Sequence, residues 1–86
     1  MEPGNTFINL TATGAVKTIK GKLRGMYVNS TTAGTIKFWD SLSASGTVMN
    51  NTITPAVGWH EFGDARFNTG CFATIGGTLD VTIYFD

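Results

Sequence analysis

The one histidine of the chain lies beside acidic residues, in the segment Trp59-His60-Glu61 that is followed by Asp64. A histidine oriented by a carboxylate is the usual base of acid–base and nucleophilic catalysis. The surrounding pattern, however, predicts an extended strand, in which consecutive side chains point to opposite faces. His60 and Glu61 therefore do not form a base and its orienting acid, and the segment predicts a surface histidine near a turn.

The other reactive side chains form no catalytic or metal-binding pattern. Serine and threonine are abundant, but no Gly-x-Ser-x-Gly turn is present. Cys71, between Gly70 and Phe72, has no cationic neighbour in sequence, so we expect a buried structural thiol. One cysteine and one histidine are too few for a structural zinc site, and no glycine precedes Lys-Ser/Thr as in a phosphate loop. We expect no enzyme activity, metal or cofactor.

Charged residues make up 14% of the chain and formal net charge is zero. Most cations fall in the first half of the chain and most carboxylates in the second: Lys17, Lys20, Lys22, Arg24 and Lys37, against Glu61, Asp64, Asp80 and Asp86. Three interpretations fit: a nucleic-acid patch, charged strand edges that discourage unwanted pairing, or a symmetric oligomer whose oppositely charged halves meet. Neutral net charge and few aromatic stacking positions argue against a nucleic-acid partner.

The chain of 86 residues is short enough to be one domain. The sequence predicts a flexible N-terminal arm over residues 1–5 and a single domain over residues 6–86. The arm could instead dock onto a neighbouring molecule through Glu2 and Pro3. No segment has the length of a membrane-spanning helix and the N-terminus lacks the pattern of a secretory signal, so we expect synthesis in the cytoplasm and no membrane partner.

The clearest predicted element is a β-hairpin over residues 23–41, with its turn at 29–34. Its buried face comprises Met26 opposite Phe38 and Val28 opposite Ile36, with Arg24 opposite Asp40. Its outer face carries Tyr27, Lys37 and Trp39. Exposed aromatic side chains beside a lysine indicate a surface that binds a protein partner or sugar. Alternatively, Trp39 covers the bare backbone of Gly25 across the strand pair.

A second hairpin is predicted over residues 71–85, with Gly76-Gly77 as its type I′ turn. Its closing strand alternates strictly between apolar and polar residues, the apolar set being Leu79, Val81, Ile83 and Phe85. A short strand is expected at 59–62, ending at Gly63-Asp64, and Phe67 is expected to fill one end of the core. No window shows helical periodicity. About eight short strands predict an all-β fold, a small antiparallel β-sandwich or jelly-roll-like barrel.

Several glycine- and threonine-rich segments resemble small β-rich proteins encoded by tailed bacteriophages. They are Gly25-Met-Tyr-Val-Asn-Ser-Thr, Gly34-Thr-Ile-Lys-Phe-Trp-Asp-Ser, Asn51-Thr-Ile-Thr-Pro, Phe67-Asn-Thr-Gly70 and Gly76-Gly-Thr-Leu-Asp-Val-Thr-Ile-Tyr. The resemblance covers most of the chain after Lys22. It implies a structural virion protein of the capsid decoration, or cement, type. Such a protein is expected as a homotrimer on the capsid exterior, where it binds the major capsid protein and clamps neighbouring subunits.

Six residues are candidates for partner contact: Tyr27, Lys37, Trp39, Trp59, Glu2 and Pro3. A second hypothesis is a carbohydrate- or receptor-binding module on a phage tail or fibre. In that case Trp39, Tyr27 or Trp59 would supply the stacking platform for a sugar ring.

Overall fold

The structure is a computed structural model and describes residues 6–86. Those residues form one antiparallel sheet of six strands and contain no helix. The strands are β1 Thr6–Leu10, β2 Gly14–Lys17, β3 Gly21–Asp40, β4 Thr47–Val48, β5 Gly58–Phe67 and β6 Cys71–Phe85. The predicted all-β class is confirmed, although the strands number six instead of about eight. The predicted arm at residues 1–5 lies outside the described residues.

The two longest strands, β3 and β6, form the centre of the sheet. They pair antiparallel along nearly their whole length, from Leu23 opposite Phe85 to Trp39 opposite Phe72. On the other edge of β6, β2 pairs with its first part and β1 with its last part. On the other edge of β3, β5 pairs with its first part and β4 with its end. The sheet therefore has two halves that share β3 and β6. The outer strands are β1 and β5 in one half and β2 and β4 in the other.

The predicted hairpin over residues 23–41 is wrong. Val28 lies opposite Val81 and Ile36 opposite Ile75, so β3 continues through the expected turn and pairs with β6. The pairing is irregular between Thr32 and Ala33, and the φ angle of Ala33 is 53°. Both arrangements bury the same alternate residues of β3. The alternation of apolar and polar residues therefore predicts which side chains of β3 are buried, but it does not predict which strand pairs with β3.

The predicted turn at Gly76-Gly77 is also wrong, because both glycines lie within β6. A type I′ turn needs positive φ at both central residues. Gly77 has a φ of 65°, whereas Gly76 does not have a positive φ. A Cβ on Gly77 would overlap the carbonyl group of Ala33. The glycine thus permits close approach of β6 to β3 at the irregularity.

The strand expected at 59–62 is longer and includes residues expected to be irregular. β5 continues to Phe67 through Gly63 and Asp64, whose φ angles are 63° and 59°. The β3–β5 register shifts at this point, so the two residues form a bulge instead of a strand end. The bulge brings Asp64 near Arg24, with 3.6 Å between Oδ1 and Nε, and the predicted pairing of Arg24 with Asp40 is wrong.

The core is one cluster of buried apolar side chains supplied mainly by β3 and β6. The predicted buried set is confirmed, with no exposed surface on Met26, Val28, Ile36 and Phe38. The alternating residues of the last strand are buried as well, and so is Phe67. The ring of Phe38, in the second half of β3, meets that of Phe62 of β5 edge-on at 5.3 Å. Because β5 pairs with the first half of β3, this contact joins the two halves.

Candidate binding surface

Four aromatic side chains lie together on the outer face of the half-sheet formed by β1, the end of β6, the start of β3 and β5. We call them the aromatic row: Phe7, Tyr84, Tyr27 and Trp59. Tyr27 lies directly opposite Trp59 in the β3–β5 pair. The ring centroids of Trp59 and Tyr84 are 5.6 Å apart, and those of Tyr84 and Phe7 are 6.0 Å apart. The row therefore crosses all four strands.

Three of the four side chains of the aromatic row are exposed, and Tyr84 is half-buried. Phe7 exposes 64% of its surface, Trp59 49% and Tyr27 44%. The neighbouring inward residues Met26 and Val28 are fully buried. The row thus stands on a rigid strand framework and costs little conformational entropy when it binds.

Gly25 positions the central ring of the row. A Cβ at this residue would overlap the Cζ2 and Cη2 atoms of Trp59. The indole Nε1 of Trp59 donates a hydrogen bond to Oε1 of Glu61 at 3.1 Å, and Oε2 of Glu61 accepts one from the Gly63 amide at 3.1 Å. The bare backbone and the carboxylate together hold the ring between β5 and β6.

A polar group adjoins the row on β1, β3 and β6. We call it the amide cluster: Asn9, Asn29, Asp80 and Thr82. Asp80 Oδ1 accepts a hydrogen bond from Asn9 Nδ2 at 2.7 Å and from Asn29 Nδ2 at 3.2 Å. Thr82 lies between Asn9 and Tyr27 in the strand pairing, so the cluster borders the row directly. Amide and carboxylate groups beside an aromatic surface can fix the orientation of a polar ligand.

The structure separates the candidates that the hairpin prediction brought together. Tyr27 and Trp59 are neighbours, whereas Lys37 and Trp39 belong to the part of β3 that pairs with the first half of β6. Trp39 is half-buried and donates from Nε1 to Thr74 Oγ1 at 3.0 Å, and Lys37 Nζ stands 4.4 Å from the centre of its ring. The expectation that Trp39 covers Gly25 is wrong, because Trp59 does so. Glu2 and Pro3 lie outside the described residues.

Two residues of the aromatic row were missing from the sequence candidates. Tyr84 alternates with Ile83 and Phe85, both buried, and Phe7 precedes Ile8 in the first strand. That alternation was a signal that both rings point outwards. Their proximity to Trp59 was not predictable, because it depends on strand pairing across the length of the chain.

The histidine segment shows no catalytic geometry. His60 Nε2 lies 2.8 Å from the carbonyl oxygen of Ala56, while Glu61 is engaged with Trp59 and Gly63. Among residues 6–86, no three histidine, cysteine or acidic side chains are grouped so as to hold a metal ion. The same residues include no helix long and apolar enough to cross a membrane.

Cys71 is fully buried at the start of β6. Burial, and then the negative charge of Asp40, raise the pKa of its thiol to about 12. For Asp40, burial opposes ionisation, but backbone N–H donors outweigh it and lower the pKa of the carboxyl below 3.8. These donors include Asn68 and Thr69, whose amides lie 3.0 and 2.8 Å from Oδ1. Both groups therefore have structural roles: Cys71 packs in the core and Asp40 holds the segment after β5.

No protein-family model, curated protein or solved structure matches the chain.

Proposed function

We propose that this protein is a non-catalytic structural virion protein of the capsid decoration type, which docks on the major capsid protein through the aromatic row. The observation that carries the proposal is the row itself, an exposed strip of tyrosine, tryptophan and phenylalanine on a rigid sheet. Tyrosine and tryptophan dominate the energetic centres of protein interfaces. The phage-like segments of the sequence supply the identity of the partner.

The finer features of the proposal follow from the same role. A small β-sandwich or jelly-roll-like barrel is supported by the contact of Phe38 with Phe62, which links the two halves of the sheet. A homotrimer on the capsid exterior would multiply modest contacts through effective concentration. Synthesis in the host cytoplasm would precede addition to the particle.

The decisive experiment is binding of the purified protein to capsids that lack it, measured by cosedimentation. Trp59→Ala should weaken binding by about tenfold or more, because a central aromatic anchor is worth roughly 2 kcal/mol. Trp39→Ala is the matched control, since it removes the other tryptophan from a different part of the sheet. Equal loss in both variants, with melting temperatures unchanged, would contradict docking through the row.

The position of the protein on the particle is a separate test. Cryo-electron microscopy should show density at the junctions between capsid subunits. Density on the tail alone would contradict the decoration role. Analytical ultracentrifugation of the purified protein should give the mass of a trimer.

A carbohydrate-binding module is a second candidate, favoured by the amide cluster beside the row. Sugar rings stack on aromatic faces while their hydroxyl groups bond to amides and carboxylates. Trp59 suits such stacking better than Trp39, whose ring is covered by the Lys37 ammonium group. A glycan array should then give signals that are lost in both Trp59→Ala and Asn29→Ala. Signals lost in Trp59→Ala but kept in Asn29→Ala would contradict a role of the cluster.

A further inference from the structure

A cavity of about 250 Å³ lies at the end of the sheet where β2, β5 and β6 end and β3 begins. Four basic side chains line it: Lys17, Lys20, Lys22 and Arg66. The chain contains six lysine and arginine residues in all. Most of its positive charge is therefore gathered at one cavity, although its formal net charge is zero.

The basic side chains that line the cavity outnumber the acidic ones. Asp86 is the one acidic residue among the side chains that line it, which leaves a formal excess of three positive charges. The Nζ atom of Lys17 donates a hydrogen bond at 2.6 Å to the main-chain oxygen of Asp86. Within residues 6–86 the one ion pair joins Arg24 to Asp64, outside the cavity.

The other carboxylates of the described chain already have partners, and Asp40 among them borders the cavity at Asn68. Asp40 accepts hydrogen bonds from the amides of Asn68 and Thr69, and Asp80 from the side chains of Asn9 and Asn29. Glu61 holds the indole of Trp59. Moving any of them further into the basic cavity would break hydrogen bonds to a charged group, which are stronger than those between neutral groups.

Gly21 fixes the geometry of the cavity. A Cβ at this residue would stand 3.0 Å from both Nζ of Lys17 and Cζ of Phe67 and would overlap the main-chain oxygen of Asp86. Phe67 is fully buried and the amide of Asp86 donates to the carbonyl of Lys22 at 2.8 Å. The Lys17 ammonium group is therefore held in place by a packed backbone and not by a free surface loop.

We propose that this cavity binds a phosphate-type oxyanion. A dianion offsets the excess charge better than a single carboxylate, and an arginine fork together with lysine ammonium groups is the usual protein environment of phosphate. The volume lies below the range of pockets for drug-sized ligands, which begins near 300 Å³. A free phosphate ion and a phosphate group carried on a larger molecule share this chemistry.

The test is an NMR titration of the whole chain with inorganic phosphate, sodium acetate and a small phosphomonoester, at ionic strength held constant with sodium chloride. Phosphate should give saturable shifts of the Gly21, Phe67 and Asn68 amides, and acetate should not. Tighter binding of the phosphomonoester than of phosphate assigns a carried phosphate group, and weaker binding assigns the free ion. Shifts that do not saturate, or that acetate reproduces, overturn the proposal.

Charge-removing variants distinguish phosphate binding at the cavity from a general effect of surface charge. Arg66→Gln and Lys20→Gln should each raise the phosphate Kd by about tenfold, because each removes one charge-assisted hydrogen bond. Arg24→Gln, on the neighbouring ion pair, is the matched control and should leave the Kd within about twofold, as expected of an exposed charge. An equal effect of Arg24→Gln and Arg66→Gln would overturn the assignment. Lys20 and Arg66 are both exposed, so both variants should fold as the unmodified chain does.

Discussion

The indole ring of Trp59 lies against the bare backbone of Gly25, on the strand next to its own. Trp59 is paired with Tyr27, yet its ring leans over the glycine two residues away and reaches Tyr84. A Cβ at residue 25 would also stand 2.7 Å from the carbonyl oxygen of His60, which belongs to the backbone. Because backbone cannot move aside as a side chain can, glycine at this position determines where the centre of the aromatic row lies.

Gly25→Ala should displace Trp59 and lower the free energy of unfolding by about 1–3 kcal/mol, the usual cost of overpacking. Urea denaturation measures the loss of stability. Fluorescence in a Trp39→Phe background, where Trp59 is the one indole left, should report a more solvated ring. Gly14→Ala is the control, since the nearest atom would be 3.7 Å from its Cβ. Equal stability of the two variants would contradict the packing described for Gly25.

Cys71 should react with thiol reagents only when the protein unfolds. With its pKa raised to about 12 and no exposed surface, its thiol is almost entirely protonated at pH 8 and out of reach of reagents. Labelling with a disulfide reagent should therefore be slow in buffer and rapid in guanidinium chloride. Rapid labelling of protein that remains folded by circular dichroism would contradict this placement of the thiol.

Asp40 should make the stability of the protein sensitive to acid. Its pKa is lower in the folded state than the ordinary value of 3.8, so its contribution is complete above that value. The contribution is lost as the pH falls from 3.8 towards the folded pKa. Asp40→Ala should cost about 1 kcal/mol near pH 7, because it leaves two amide donors without this acceptor. The difference from the unmodified protein should shrink below pH 3.8, as measured by urea denaturation at each pH.

Asp64→Asn is the control for that experiment. It removes the carboxylate that forms an exposed ion pair with Arg24. Such a pair stabilises a protein by about 0–1 kcal/mol. A gap between Asp40→Ala and the unmodified protein that stays constant down to pH 2 would contradict the role given to Asp40.

Ala33→Gly should stabilise the protein by up to about 1 kcal/mol, because a left-handed conformation costs a non-glycine residue about 1–2 kcal/mol. The reverse change, Gly77→Ala, should destabilise it, since φ is 65° and a Cβ would overlap the Ala33 carbonyl. Gly63→Ala separates the cost of the positive φ from the cost of the steric overlap. The φ of Gly63 is 63°, but nothing lies within 4 Å of its Cβ. Denaturation midpoints should therefore fall further in Gly77→Ala than in Gly63→Ala.

The sequence was sufficient to predict which residues of the sheet face inwards. Alternation along β3 and β6 identified Met26, Val28 and the last apolar series correctly, because burial acts on each strand separately. It was insufficient to predict the partner of each strand. Glycine pairs normally indicate turns, and Gly76-Gly77 instead permits a close approach within a continuous strand.

For the candidate sites, the exposure of single side chains was predictable, but their clustering was not. Exposure of Tyr27 and Trp59 was expected and is observed. The clustering of Trp59 with Tyr84, and of Arg66 with Lys17 and Lys20, depends on which distant segments become neighbours. Side-chain type and local spacing contain no information on those distances.

The full-length pairing of β3 with β6 has a consequence for the way the chain acquires its structure. Leu23 pairs with Phe85, so the central ladder cannot be complete until β6 has been synthesised. Topologies dominated by distant pairing fold slowly, in milliseconds to seconds. β1 also pairs with β6, so Phe7 cannot meet Tyr84 earlier. The aromatic row is consequently assembled only after β6 has paired with both β1 and β3.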